Sequence, residues 1–173
     1  LGDVYKRQAE DVYVGYRYFD TYQVKPQFAF GHGLSYAAFT YSDLQLTAHP
    51  QEITDQLQSP DALPALYTVK LAVSNDSDIT AKESVQLYIA AKDSNVKRPV
   101  KELRGFDKKE IAAHAKAAYT FALTAEAFSY YDIEKHCYIA PAGTYEILLG
   151  SASDDIRLSR TVTLSADIMI SRS

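Results

Sequence analysis

The 173-residue sequence contains one cysteine, one methionine, seven glycines and no tryptophan. A single cysteine, Cys137, excludes an intramolecular disulfide, so cysteine usage gives no information about the redox compartment. No uninterrupted apolar run has the length that a bilayer-spanning helix needs. The net charge of −4 argues against a general polyanion binder. We therefore expect no nucleic-acid partner and no membrane partner.

Hydrophobic residues make up 47% of the chain, enough for a real core, and tyrosine alone occurs fourteen times. Because no long helical pattern accompanies them, these residues favour β structure. A chain of this length normally forms one domain, or one domain and part of another.

From residue 67 onward, apolar and polar residues alternate in short segments, as in strands with one buried face. The predicted inward rows are Tyr67, Val69, Leu71 and Val73; Val85, Leu87 and Ile89; Val100, Leu103 and Phe106; Tyr119, Phe121 and Leu123; Tyr145, Ile147 and Leu149; and Ile156, Leu158, Val162 and Leu164. A first strand over residues 39–46 fits the pattern if it contains a bulge near Ser42 and Asp43. The spacing predicts an all-β fold, an antiparallel immunoglobulin-like or fibronectin type III-like β-sandwich of about seven strands.

Two details refine that prediction. Tyr145, near the start of the penultimate strand, is placed as a tyrosine corner, in which the hydroxyl bonds to backbone. Because there is no tryptophan and only one cysteine, the immunoglobulin Cys–Trp–Cys pattern is absent, and the fibronectin-like version is favoured. Gly105 is predicted to mark a bulge or a close backbone approach.

The N-terminal part has a different pattern. Residues 12–19 are apolar on both sides of an alternating pattern, which predicts a strand covered on both faces. Arg17 lies among aromatics, where it can stack or bridge to Asp20; the functional alternative is a substrate contact. Gly31 and Gly33 then provide two positions where positive φ is free of steric penalty, which predicts a hinge between two domains.

The resemblance to a known family rests on motifs spread over residues 10–165. They are VGYRYFD at 14–20 followed by FAFGHGLSY at 28–36, then SVQLY at 84–88, RPVKELRGF at 98–106, FSYYD at 128–132 and AGTYE at 142–146. In this order they resemble the C-terminal part of family 3 glycoside hydrolases of the β-glucosidase and β-xylosidase type. The resemblance implies a (β/α)8 barrel and an α/β sandwich upstream, followed by a fibronectin type III-like domain. The turns at 80–83 and 112–116 lack the glycines that the family pattern has.

The resemblance also implies the domain boundaries. We expect residues 9–34 to be the C-terminal remnant and linker of the α/β sandwich, 35–167 the fibronectin type III-like domain and 168–173 a tail. Residues 1–8 are expected to be a non-native, adapter-derived segment, since the sequence begins without Met and a transposon end used to tag sequencing libraries can also encode residues 3–8. Residues 49–64 are predicted to be a surface loop. If 12–30 belongs to an upstream sheet, the sandwich should fold without residues 1–34.

No catalytic, cofactor-binding or metal-binding residue is expected in this chain. A retaining glycosidase needs two carboxyl groups roughly 5 Å apart in a cleft, and in the family both come from the upstream domains. The acids here lie in polar turns (Asp76, Asp78, Asp93, Asp154 and Asp155). Ser35 superficially resembles a nucleophile elbow, but a strand pattern follows it instead of a helix. His136 and Cys137 are adjacent, so on a strand they point to opposite faces and form no metal pair.

The resulting hypothesis is a non-catalytic domain that braces the catalytic domains of a β-glycosidase acting on β-glucosides or β-xylosides. Its partners would be the upstream catalytic domains of the same chain, with β-linked oligosaccharide bound through them and no cofactor. The resemblance suggests a periplasmic or secreted location. The alternative is a stand-alone carbohydrate-binding or adhesion module, for which Tyr88, Tyr130 and Tyr131 are the candidate aromatics.

Overall fold

The structure is a computed structural model that describes residues 11–50, 58–92 and 94–171. The expected adapter-derived segment at 1–8, Asp93 and the middle of the predicted loop at 49–64 lie outside the described residues. The described part contains one α-helix and ten strands, which are α1 (Tyr16–Thr21), β1 (Phe39–Ala48), β2 (Tyr67–Asn75), β3 (Ala81–Ala91), β4 (Glu102–Ile111), β5 (Lys116–Leu123), β6 (Tyr130–Asp132), β7 (Cys137–Ala140), β8 (Gly143–Ala152), β9 (Asp155–Leu164) and β10 (Ile168–Ile170).

Two antiparallel sheets form the sandwich. One has the strand order β1-β2-β5 and the other β4-β3-β8-β9, so together they contain the seven strands that the alternation predicts. A third sheet of three short strands, in the order β10-β7-β6, was not predicted. Its strand Ile168–Ile170 lies in the segment expected to be a tail and pairs with Tyr138–Ala140.

The core lies between the two large sheets and is built from the predicted rows. Val69, Leu71 and Val73 of β2 face Val85 and Leu87 of β3 in one buried cluster. Rows from β5, β8 and β9 complete it, namely Tyr119, Phe121, Leu123, Tyr145, Ile147, Leu149, Val162 and Leu164. These rows confirm the all-β sandwich and the registers that place them inward.

One predicted row is wrong. Val100 and Phe106 are 49% and 70% exposed. Gly105 pairs with the core-facing Leu87, so its neighbour Phe106 pairs with the outward-facing Gln86, and Val100 precedes the strand. The bulge that Gly105 indicated lies next to it, where the pairing shifts between Leu87 and Tyr88.

The bulge predicted in the first strand is confirmed. The pairing of β1 with β2 shifts between Ser42 and Gln45, and Asp43 adopts a left-handed φ of 55°. The shift lets Leu44 and Leu46 pack against the core.

The tyrosine corner is also confirmed. The Tyr145 hydroxyl donates a hydrogen bond of 2.7 Å to the Pro141 carbonyl, four residues upstream. Its ring is buried and meets Phe128 edge-on at 5.1 Å between centroids. Burial raises the pKa of the Tyr145 hydroxyl, which therefore remains a donor at neutral pH.

The turns that lack glycine are held by side chains. Asn75 is buried and its amide donates to the Ile79 carbonyl at 2.8 Å and to the Ile111 carbonyl at 3.0 Å, which ties two neighbouring turns together. His114 takes the left-handed position of the second turn with a φ of 54°, and its ring nitrogen lies 2.7 Å from the Asp78 carboxylate.

The strand predicted over residues 12–19 is wrong. Gly15, with a φ of 59°, turns the chain, and its carbonyl accepts from the backbone N–H groups of Tyr18 and Phe19 to start α1. A short apolar run does not distinguish a buried strand from a buried helix by periodicity. Here the residues form a short helix laid on the sandwich.

Candidate functional site

The residues considered for catalysis or metal binding are not assembled into a site. The described residues contain no group of three or more His, Cys, Asp or Glu that could hold a metal ion. The Ser35 hydroxyl accepts from the Ala37 N–H at 3.1 Å in a local turn, and strand β1 follows instead of the helix of a nucleophile elbow. Cys137 is buried, and His136 occupies a turn with a φ of 53°.

Three of the four turn acids that the structure describes, Asp76, Asp78 and Asp155, have structural partners. Asp76 accepts from the Thr40 hydroxyl at 2.6 Å. Asp155 accepts from the Ser151 hydroxyl at 2.5 Å and from Arg157 at 2.7 Å. The hydrogen bond from Arg157 lowers the pKa of the Asp155 carboxyl, as expected for a paired surface carboxylate and not for a general acid.

The main feature outside the sandwich core is residues 11–38, here called the N-terminal segment, which lies on the outer face of the four-stranded sheet. Gln86 and Tyr88 point away from the core, yet they are 6% and 0% exposed because the segment covers them. The ring of Tyr16 lies 5.8 Å from that of Tyr88. Strand β3 is therefore buried on both faces.

Hydrogen bonds fix the segment to the sheet. The Tyr16 hydroxyl accepts from the Leu103 N–H at 2.7 Å, at the bulge in β4. The Thr21 hydroxyl accepts from the Val100 N–H at 3.0 Å. Helix α1 thus satisfies backbone donors that no neighbouring strand reaches.

A cluster of charges reinforces the same contact. The Glu102 carboxylate pairs with Arg98 at 2.8 Å, with Arg104 at 3.1 Å and with Arg17 of α1 at 3.9 Å. Burial raises the pKa of the Glu102 carboxyl, but the three guanidinium groups outweigh that effect and hold it below its usual value. Arg98 and Arg104 also donate to the Ser129 carbonyl, at 3.2 and 2.8 Å.

This cluster corrects one interpretation of the sequence. Arg17 pairs with Glu102 and not with Asp20, whose carboxylate pairs with Lys101 at 3.0 Å. Several of the basic residues around 97–110 lie in β4, the edge strand of its sheet, whereas Arg98, just before that strand, has a side-chain exposure of only 7% and belongs to the cluster. Sequence reasoning missed the cluster because Arg17 is far along the chain from Arg98, Glu102 and Arg104.

The C-terminal part of the N-terminal segment, residues 31–38, is here called the linker. Gly31 has a φ of 85° and rests on Gln86, whose amide nitrogen would lie 2.1 Å from an added Cβ. Gly33 lies outside the left-handed region and has open space around it, so only the first of the two hinge glycines needs to be glycine. A groove of about 690 Å³ runs between the linker and the sheet, bordered by Glu83, Lys108 and Arg157 among others.

The other side of the N-terminal segment carries exposed apolar side chains. Among the residues that the structure describes, fourteen large hydrophobic side chains are exposed, and nine of them lie between residues 12 and 36. These nine form what we call the outward apolar face: Val12, Val14, Tyr18, Tyr22, Val24, Phe28, Phe30, Leu34 and Tyr36. Such a concentration of exposed apolar residues marks an interaction surface.

The described helices are too short and too polar for one to cross a membrane.

Comparison with known proteins agrees with this fold. Residues 83–153 match the family model of the fibronectin type III-like domain. The chain is 36% identical over 161 residues to thermostable β-glucosidase B of Acetivibrio thermocellus, covering 93% of this chain and 20% of that protein. It is 37% identical to probable β-glucosidase L of Emericella nidulans, covering 90% of this chain and 22% of that protein. The chain thus spans about a fifth of the length of these curated relatives.

Solved structures give the same result. The GH3 β-glucosidase of Bifidobacterium adolescentis superposes with a TM-score of 0.79 at 35% identity, over 90% of this chain and 21% of that one. The β-D-glucoside glucohydrolase of Trichoderma reesei superposes with a TM-score of 0.82 at 30% identity, over 90% of this chain and 23% of that one. The chain therefore corresponds to the part of these GH3 β-glucosidases that includes their fibronectin type III-like domain.

Proposed function

We propose that this chain is the non-catalytic C-terminal part of a β-glycosidase that hydrolyses O-glycosidic bonds in β-glucosides or β-xylosides, and that its sandwich braces the catalytic domains. The catalytic domains of the same polypeptide are its partners, and β-linked oligosaccharide is bound through them.

The observation that carries the proposal is the two-sided N-terminal segment. Its inner side is fixed to the sandwich through Tyr16, Thr21 and Gly31. Its outer side holds most of the exposed large hydrophobics of the described chain. A segment with one side attached and one apolar side free is suited to join two rigid bodies, since burying the free side would fix their relative position.

The stand-alone carbohydrate-binding alternative finds less support. Flat sugar chains stack on coplanar exposed rings, but Tyr88 is fully buried under the N-terminal segment. Tyr131 lies edge-on to Tyr138 at an interplanar angle of 69°, so the pair offers no flat platform.

The test compares the complete protein encoded by the gene with this chain alone, using an aryl β-glucoside and an aryl β-xyloside as substrates. We expect the complete protein to hydrolyse at least one of them and this chain to hydrolyse neither. Turnover by this chain alone, or no turnover by the complete protein, would refute the proposal. In a pull-down on cellulose and xylan, this chain should stay in the supernatant, and its retention would favour the carbohydrate-binding alternative.

A further inference from the structure

We infer that Leu34 and Tyr36 are the anchor residues through which the linker binds an apolar pocket on the catalytic part of the same polypeptide. The inference rests on the proposed function and names the residues that make the contact. Leu34 is 95% exposed and Tyr36 is 99% exposed, more than any other large hydrophobic side chain in the described part of the chain. The packing of the sandwich therefore gives no reason for a leucine or a tyrosine at these positions.

The linker that carries them is held at both ends. At its start, the Phe30 carbonyl accepts from the Ser153 N–H at 2.8 Å, and Gly31 is packed on Gln86. At its end, the Ala38 N–H donates to the Ser77 hydroxyl at 2.7 Å, and the Ala38 carbonyl accepts from the Asp76 N–H at 2.9 Å. Because both ends of this short stretch are held, its backbone has less conformational entropy to lose when the two apolar side chains bind.

The anchors continue a larger apolar surface. Phe28 and Phe30, just before the linker, are 65% and 48% exposed. Phe106, at 70% exposure, pairs in register with Gln86, the residue on which Gly31 rests, so it lies on the face of the sheet that the linker crosses. Interfaces are organised around such aromatic and aliphatic anchors surrounded by further apolar contact.

The occupant to which we commit is the catalytic part of the polypeptide and not a second copy or a polysaccharide. The relatives are about five times longer than this chain, so in them the equivalent of this chain is tethered to a large remaining part. Tethering keeps the effective concentration of that part high. An aliphatic anchor such as Leu34 offers a sugar neither a stacking ring nor a hydrogen bond, and it fits an apolar pocket instead.

The test measures how fast a maleimide labels a cysteine placed at an anchor. Leu34→Cys should react rapidly in this chain alone and about 100-fold more slowly in the complete protein, where the pocket covers it. The control is Ile133→Cys, because Ile133 is 76% exposed in the turn between β6 and β7 and far along the chain from the linker. It should react at the same rate in both proteins. Both variants retain the buried Cys137, so slow background labelling of Cys137 is common to them.

Equal labelling of Leu34→Cys in the two proteins would overturn the inference, even if the complete protein hydrolyses an aryl β-glucoside. Both proteins are labelled at a concentration at which sedimentation velocity shows this chain to be monomeric. Protection of the complete protein that disappears on dilution would assign the anchors to a second copy and would also overturn the inference. If the complete protein fails to hydrolyse the glycosides, the proposed function fails, while the labelling ratio still reports whether the linker is covered.

A second measurement does not depend on cysteine. The double variant Leu34→Ser, Tyr36→Ser should lower the melting temperature of the complete protein and leave that of this chain unchanged. An equal shift in both would assign the two residues to the stability of the sandwich and contradict the anchor role.

Discussion

The N-terminal segment and the sandwich use tyrosine in opposite ways. In the sandwich, Tyr119 and Tyr145 are buried, and each hydroxyl donates to a backbone carbonyl, of Glu83 at 2.9 Å and of Pro141 at 2.7 Å. In the N-terminal segment, Tyr18, Tyr22 and Tyr36 are 43%, 50% and 99% exposed. These two tyrosines of the sandwich are satisfied internally, whereas these three of the segment are presented outward. Exposed apolar side chains of the second kind are suited to contact with a partner.

Deletion of the N-terminal segment is the most direct test of how the segment and the sandwich depend on each other. The sequence pattern suggested that the sandwich folds without residues 1–34, but the structure places Tyr88 and Gln86 beneath that segment. We now expect the deletion to lower the free energy of unfolding by about 5 kcal/mol, because it exposes Tyr88 and leaves the N–H groups of Val100 and Leu103 without their partners. Urea unfolding of the two chains measures the difference, and an unchanged midpoint would show that the segment contributes nothing to the sandwich.

The sandwich was predictable because each row of apolar residues reports on its own strand. The row in β2 and the row in β8 alternate over short stretches, and their neighbours in the fold were not needed to recognise them. The bulges at Asp43 and Gly105 left local marks as well, in a broken alternation and in a glycine.

The N-terminal segment was harder to predict because it has apolar residues both on the side that packs against the sheet and on the side that is exposed. Residues apolar on all sides indicated burial correctly for Tyr13, but they gave no period that separates strand from helix. The cluster around Glu102 left no signal, because Arg17 is distant from it in the chain and Arg98 lies in a loop. The third sheet was missed because its strands have only three or four residues.

The two linker glycines form a matched pair of sites that tests how the linker is attached to the sandwich. Gly31→Val should lower the free energy of unfolding by about 3 kcal/mol, since a β-branched residue is strained at a φ of 85° and its Cβ would collide with Gln86. Gly33→Val should cost much less, because its surroundings are open. Equal losses for the two variants, measured by urea unfolding, would contradict the role assigned to Gly31.

The charge cluster predicts a pH dependence. The pKa of Glu102 is lower in the folded chain than its ordinary value of 4.5, so its ion pairs stabilise the fold above that pH and lose their effect as the pH falls through the folded pKa. Glu102→Gln should cost about 2–3 kcal/mol at pH 7, because three guanidinium groups lose their carboxylate. The difference in free energy of unfolding between the wild type and Glu102→Gln should become smaller below pH 4.5.

The control for this prediction is Glu110→Gln, whose side chain is 63% exposed and pairs with Lys82 at 3.9 Å. An exposed pair contributes little, so this variant should follow the wild type at every pH. A Glu102→Gln variant with a pH-independent loss would rule out the titration of Glu102 as the cause.

Removing one tyrosine hydroxyl from each region gives two losses of stability that can be compared directly. Tyr16→Phe leaves the Leu103 N–H unpaired and Tyr145→Phe leaves the Pro141 carbonyl unpaired, so each should lower the free energy of unfolding by about 1–2 kcal/mol. Tyr22→Phe, at an exposed ring, should have no measurable effect. An unchanged midpoint for Tyr145→Phe would contradict the tyrosine corner. The same result for Tyr16→Phe would show that the Tyr16 hydroxyl does not help to hold α1 on the sheet.

The smallest effect on stability is expected at the outward apolar face. Phe28 is 65% exposed, so Phe28→Ser should change the free energy of unfolding by less than about 0.5 kcal/mol. The same substitution should weaken self-association of this chain, because exposed apolar area with no partner drives chains together. Ile133→Ser is the control, since Ile133 is 76% exposed but lies outside the face. Sedimentation velocity over a concentration series distinguishes the two variants. If both reduce association equally, general hydrophobicity is responsible; if only Phe28→Ser does so, the surface that would meet the catalytic domains is also the one that associates in their absence.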